Sequence, residues 1–145
     1  MKIHNLDKFL DARGWSMNDI YEVFRVSGKD QANYQINYSI VYPGIIKAWH
    51  RHANQDDYFC ILHGTAQVGI YDPETQEASK IFVGDQNPKV IHIEAGEWHG
   101  LTAVGPQPVG LLYLVTNKYD PDEPDEERAN WASFVGSEWW LPEHK

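Results

Sequence analysis

Between Gly44 and Gly64 the chain reads Gly-Ile-Ile-Lys-Ala-Trp-His-Arg-His-Ala-Asn-Gln-Asp-Asp-Tyr-Phe-Cys-Ile-Leu-His-Gly, and this stretch limits the architecture more than any other. Side chains two apart on a strand share a face, so His50 and His52 can converge on one atom, either a metal ion or a substrate proton. Asp57 opens an apolar run, Tyr58 to Leu62, that reads as the partner strand of a hairpin and brings a carboxylate beside the imidazoles. Gly64 closes that strand with a turn.

The flanking sequence repeats the strand pattern at short intervals. Tyr21 to Val26 reads as a strand ended by the turn Ser27-Gly28-Lys29-Asp30. From Gln31 to Tyr42 the residues alternate, with Gln35, Asn37, Ser39 and Val41 on one face and Ile36, Tyr38 and Ile40 on the other. A polar face on a strand leading into His50 suggests a site lined by amides and a hydroxyl. Further strands are expected over Ala66 to Tyr71, Lys80 to Val83, Val90 to Glu94 and Val109 to Thr116, with Asp72-Pro73-Glu74-Thr75 as a turn. Closely spaced strands punctuated by Gly, Pro, Asp and Asn predict an all-β antiparallel sandwich or barrel, not alternating βαβ units. Before them, Leu6, Phe9 and Leu10 fall at helical spacing, which predicts a short helix within Met1 to Gly14. After them, Asn117 to Asn130 is acidic and proline-rich and reads as a solvated surface loop. The tail, with Trp131, Phe134, Trp139 and Trp140, is expected to fold back over the barrel or across a subunit boundary.

Length and composition set outer limits. One compact domain over residues 1–145 is expected, with 42% apolar and 13% aromatic residues sufficient for a core. The lone cysteine, Cys60, excludes an intrachain disulfide, and the first residues carry no charged-then-apolar leader pattern, so a cytoplasmic location is expected. No apolar run approaches the ~20 residues that span a bilayer. The formal net charge of −9 argues against nucleic acid or anionic lipid and for a small-molecule partner.

Gly44, His50, His52, Asp57 and Gly64 follow the spacing of the first motif of the cupin superfamily, with Asp57 where Glu is usual. Glu94-Ala-Gly96-Glu-Trp-His99 resembles the second motif, Pro-x-Gly-x-x-His, and supplies a third imidazole. Within the cupins, residues from about Gln31 to Trp131 resemble the dTDP-4-dehydrorhamnose 3,5-epimerase (RmlC-like) family and related sugar-nucleotide isomerases. The resemblance is carried by Gln35-Ile-Asn37-Tyr-Ser39, by Pro43-Gly44-Ile-Ile-Lys47-Ala-Trp-His50, by His99-Gly100, and by Tyr113-Leu-Val-Thr116 with Tyr119 and Pro121. It implies a cupin jelly roll, a nucleotide-linked 4-keto-6-deoxy sugar as substrate, a homodimer, and no required cofactor.

In that family the His of Gly-x-His is the base and the Tyr of Tyr-x-x-Thr the acid on the opposite sugar face, so the resemblance points to His50 and Tyr113. Lys47 stands where the family has an enolate-stabilising Arg, although simple alternation puts it on the face away from His50; a twist or bulge is needed to reorient it. Gln35, Asn37, Ser39, Trp49, Arg51 and Trp98 are candidate substrate contacts, and Arg51, Lys118 and Arg128 candidate cations for a diphosphate. The chain departs from the epimerases at His52 and Asp57, where they keep a bulky or neutral residue and a Lys. A second reading therefore stays open: His50, His52, Asp57 and His99 as ligands of Zn, Fe, Mn, Ni or Cu, in a metal-dependent oxygenase, a small-sugar isomerase or a non-catalytic metal- or sugar-binding cupin. His4, His63 and His92 are assigned no role in the site, and Cys60 is read as a small core residue.

Overall fold

The computed structural model describes residues 1–17, 20, 31–134, 138 and 139. Twelve strands follow in chain order among them: β1 (Lys2–Asn5), β2 (Lys8–Asp11), β3 (Gly14–Met17), β4 (Gln35–Val41), β5 (Ile46–Arg51), β6 (Asp57–His63), β7 (Thr65–Asp72), β8 (Glu77–Gly84), β9 (Lys89–Ile93), β10 (Trp98–Val104), β11 (Val109–Val115) and β12 (Glu127–Arg128). They form a first sheet in the order β1-β9-β6-β11-β4, a second in the order β12-β5-β10-β7-β8, and a separate β2-β3 hairpin. Every pairing is antiparallel. This is the antiparallel sandwich expected from the strand spacing, in the jelly-roll form that the cupin resemblance implies.

Apolar side chains of both inner faces meet in one core. Phe59, Ile61, Ile91, Ile93 and Leu111 of the first sheet pack with Ala66, Val68, Ile70, Val83, Leu101 and Ala103 of the second. A second cluster, Tyr58, Cys60, Val90 and Leu114, lies on the outer face of the first sheet, covered in part by Leu6, Ile20 and Tyr34. Cys60 is thus a buried core residue, and burial pushes its thiol up to about 11. Strand β4 alternates as its sequence requires, with Ile36, Tyr38 and Ile40 exposed outward.

The N-terminal helix is not formed. Lys2 to Asn5 instead pairs with β9, and Lys8 to Met17 folds into the β2-β3 hairpin. The open edge of β9 offers hydrogen-bond partners that local helical spacing cannot match, and Phe9 and Leu10, read as part of an apolar helix face, are exposed. The strand expected over Tyr21 to Val26 lies outside the described residues.

The tail covers the outer face of the second sheet. Trp139 is buried and packs 4.9 Å from Trp49, while Phe134 stacks on Tyr71 at 4.1 Å and meets Trp49 and Trp98 edge-on or tilted. Both indole N–H groups, of Trp49 and Trp139, donate to the Trp131 carbonyl. Trp140 lies outside the described residues.

One irregularity matters for function. Between the pairs His99↔His50 and Leu101↔Lys47, β10 advances two residues and β5 three. The extra residue resets the alternation of β5, so Lys47 and His50 come to the same side. Close approach of the strands is possible because Gly100 has no side chain: a Cβ there would lie 2.4 Å from Ala48 Cβ and 2.6 Å from the Lys47 carbonyl oxygen. Gly100→Ala is therefore expected to force β5 away and destabilise the fold by about 1–3 kcal/mol. Urea unfolding measures this; an unchanged midpoint would show that β5 does not depend on the missing side chain.

Candidate active site

Between the sheets, at the end not filled by apolar side chains, lies a cavity of about 940 Å³. The second sheet contributes Lys47 and His50, and the first contributes Gln35, Asn37 and Ser39 from β4, Asp57 from the start of β6, and Tyr113 from β11. Tyr113 stands opposite Asn37 on one side and Phe59 on the other. The segment after β11, with Lys118, Tyr119, Asp120, Glu123, Asp125, Glu126 and Arg128, closes one wall. The acidic stretch expected to be a solvated loop is therefore part of the site.

The three imidazoles converge. His50 lies 4.1 Å from His99 and 5.6 Å from His52 between ring centres, and His52 lies 5.7 Å from His99. One ligand atom from each ring and one Asp57 oxygen all fall within 4.8 Å of one another. His99 donates Nδ1–H to the Glu97 carbonyl and turns Nε2 to Asp57 Oδ2 at 3.1 Å. His52 likewise gives Nδ1–H to the Asp125 carbonyl and points Nε2 at the same oxygen, 3.7 Å away. A backbone carbonyl thus sets the tautomer of each ring and aims its other nitrogen inward. Asp57 Oδ1 accepts from Gln55 Nε2 at 2.6 Å. A ring nitrogen whose partner nitrogen already carries the hydrogen meets a carboxylate oxygen only with a cation between them, either a proton or a metal ion.

Burial, followed by the neighbouring His99 and His52 and the Arg128 and Lys47 cations, pushes His50 down to about 2. Its ring is therefore neutral. Tyr113 is raised above the usual phenol range, first by burial and then by Asp57, which keeps its hydroxyl protonated. Gln35 donates to Asn37 Oδ1 and accepts from the Tyr119 N–H. Ser39 Oγ is buried with no hydrogen-bond partner among the described residues.

The other candidates are placed differently. Trp49 borders the cavity but is 1% exposed, its ring enclosed by Phe134 and Trp139. Arg51 pairs with Glu127 at 2.8 Å and lies over Trp98 at 4.8 Å, and neither Arg51 nor Trp98 lines the cavity. His63 is exposed near Asp85, whereas His92 is buried against Asp56, a partner distant in sequence. Asp125 escaped the sequence reading. Its carboxylate accepts from the N–H groups of Ala53 and Asn54, both at 2.8 Å, and holds the turn after His52. Its composition signalled only a polar loop, because the contact joins segments far apart in sequence.

The chain resembles proteins of polysaccharide and glycan biosynthesis. The model of the family described as polysaccharide biosynthesis C-terminal domain matches residues 10–127. A probable low-salt glycan biosynthesis epimerase, Agl13, of Haloferax volcanii is 38% identical, over 88% of this chain and 85% of that protein. The spore coat polysaccharide biosynthesis protein SpsL of Bacillus subtilis is 33% identical, over 96% of this chain and 94% of its own length. Among solved structures, a dTDP sugar isomerase of Desulfovibrio desulfuricans shares the fold with a TM-score of 0.76 at 21% identity, covering 91% of this chain and 85% of that one. The fold agrees with the RmlC-like resemblance drawn from the motifs. Matched over most of its length by the family and by both relatives, the chain belongs to the polysaccharide biosynthesis C-terminal domain family.

Proposed function

We propose that this protein is an epimerase or isomerase of a nucleotide-linked 4-keto-6-deoxy sugar, acting in polysaccharide or deoxysugar biosynthesis. One observation carries the reading: His50 and Tyr113 stand on facing sheets across a single cavity, a neutral imidazole on one wall and a protonated phenol on the other. A relative named as a glycan epimerase supports the reaction class.

His50 takes the proton from the carbon next to the ketone, and the electrons move onto the ketone oxygen. Lys47, on the side of β5 that carries His50, stabilises that oxyanion. Tyr113 returns a proton from the other face, inverting the centre; the phenolate then takes a proton from solvent and His50 gives its proton to solvent, which restores both groups. Protonating a buried His50 is costly in isolation; the enolate formed beside it supplies the counter-charge. Asn37 and Ser39 face the sugar as hydrogen-bonding groups, and Lys118 and Arg128 at the rim face the diphosphate. The exposed outer face of β4, with Ile36, Tyr38 and Ile40, supports a homodimer, as the surface a second copy would cover.

The donor set also supports a second reading. The inward-facing Nε2 atoms of His52 and His99, the neutral His50 and the Asp57 carboxylate suit a divalent transition metal such as Zn, Fe, Mn, Ni or Cu. A metal ion held by these four residues would polarise the ketone oxygen.

Three measurements test the proposal. With dTDP-4-keto-6-deoxyglucose in deuterated water, His50→Ala is expected to abolish exchange at the carbon next to the ketone. Tyr113→Phe keeps that exchange and loses inversion by about 10²–10⁴-fold; full turnover by Tyr113→Phe would remove the phenol from the mechanism. Exchange is expected to persist after dialysis against a chelator. Loss of exchange, with recovery on adding one metal equivalent, would move the chemistry to the metal reading. The third concerns pH. In the unfolded chain His50 titrates near 6.5 and in the fold near 2, so between these values the unfolded state binds the extra proton and stability falls as pH drops below about 6.5. The slope from this one group approaches about 1.4 kcal/mol per pH unit. His50→Gln is expected to flatten it, read from urea midpoints between pH 6.5 and 4.5; an unchanged slope would mean that His50 titrates alike in both states.

A further inference from the structure

Thr116 directly follows β11, the strand that carries Tyr113, and does not line the cavity. It is nevertheless 3% exposed. Its Oγ1 accepts the Asp56 N–H at 2.9 Å, and its own N–H donates to the Asp56 carbonyl at 3.1 Å. Asp56 immediately precedes Asp57, the first residue of β6. The Asp56 carboxylate lies outside, accepting from the Ala95 N–H at 3.1 Å and meeting His92 Nε2 at 2.9 Å. His92 is in turn stacked on Tyr58, 4.2 Å away and 8° from parallel. Gly96, next to Ala95, donates its N–H to the His52 carbonyl at 2.7 Å.

These bonds form a frame behind the site. The backbone at Asp56 is held by the end of β11, and its carboxylate by β9 and the turn that leads to His99. Asp57 Oδ2, the oxygen that both His52 and His99 face, is one residue from this frame. A carboxylate so placed keeps its geometry only as well as the peptide that carries it is fixed.

We propose that Thr116 is a positioning residue of the site, acting through Asp56 to set the Asp57 carboxylate and hence the inward orientation of His99 and His52. The strand that presents Tyr113 to one face of the sugar thereby also aligns the imidazole cluster on the other wall. The inference rests on the epimerase reading for its effect on turnover, but its geometric part concerns the free protein.

Thr116→Val removes the hydroxyl at nearly constant volume, Thr116→Ala removes it with less bulk, and Thr116→Ser keeps it. Nitrogen-edited NMR of the imidazoles in the free protein reads the hydrogen bonding of His99 and His52 directly, and urea midpoints establish that each variant is folded. In Thr116→Val, or in Thr116→Ala where the valine variant does not fold, the ring nitrogen signals of His99 are expected to move, with Thr116→Ser restoring them. With dTDP-4-keto-6-deoxyglucose, kcat is expected to fall about 10- to 100-fold with KM within about twofold, and to recover in Thr116→Ser. Folded Val or Ala variants whose His99 signals match the parent would overturn the proposal and leave Thr116 as a strand-end residue. A serine variant that fails to restore the signals would do the same. If the parent protein turns over no sugar nucleotide, the epimerase reading fails while the NMR comparison still decides the role of Thr116.

Discussion

A carboxylate taken out of water is stable only where other groups replace its hydration, and Asp57, 3% exposed, meets this requirement by joining the two sheets. It stands at the start of β6 in one sheet, and its oxygens face His99 and His52, on and beside the strands of the other, and Gln55. Much of the site follows from this contact. The rings that face Asp57 need their Nδ1 atoms turned outward, and the Glu97 and Asp125 carbonyls take those hydrogens. The turn bearing Asp125 is in turn clamped to the residues after His52. Breaking one partner from such a set leaves a buried charge uncompensated, so the cluster behaves as a unit.

The apolar parts of the molecule keep this polar end in place. The inner core fills the other end of the sandwich, and the tail shields the outer face of the second sheet, where Trp49 sits between His50 and the backbone irregularity at Lys47. Gly69 serves the same packing, since a Cβ there would lie 2.9 Å from both the Trp49 and Trp139 rings. The tryptophan next to His50 thus anchors its strand from behind.

Charge shapes what the cavity accepts. The protein carries a formal net charge of −9, and Asp120, Glu123, Asp125 and Glu126 lie along one wall. Under the proposed function an anionic sugar nucleotide would approach against this field, and among the described residues Lys47, Lys118 and Arg128 are the cations that line the cavity. Arg51 is withdrawn from that role by its pairing with Glu127.

Local sequence carried a large part of this. Two-residue alternation in Gln35 to Val41 set which side chains of β4 face inward, because a strand's side-chain period is a property of its own backbone. The spacing of His50 and His52 put both imidazoles on one face for the same reason, the hairpin reading brought Asp57 beside them, the cupin resemblance added His99, and the turns between strands followed from their residues. What the sequence could not decide were features that exist only between distant segments. The edge of β9 turned the expected N-terminal helix into a strand, since open hydrogen-bonding groups outweigh weak local preference. An extra residue opposite Gly100 placed Lys47 beside His50, which strict alternation forbids. Trp49 went under the tail, and an acidic loop became a wall holding His52. Sequence by itself determined which faces each strand presents, because that is local geometry; only the tertiary structure decided which faces meet, because strand pairing and burial depend on residues far apart in the chain.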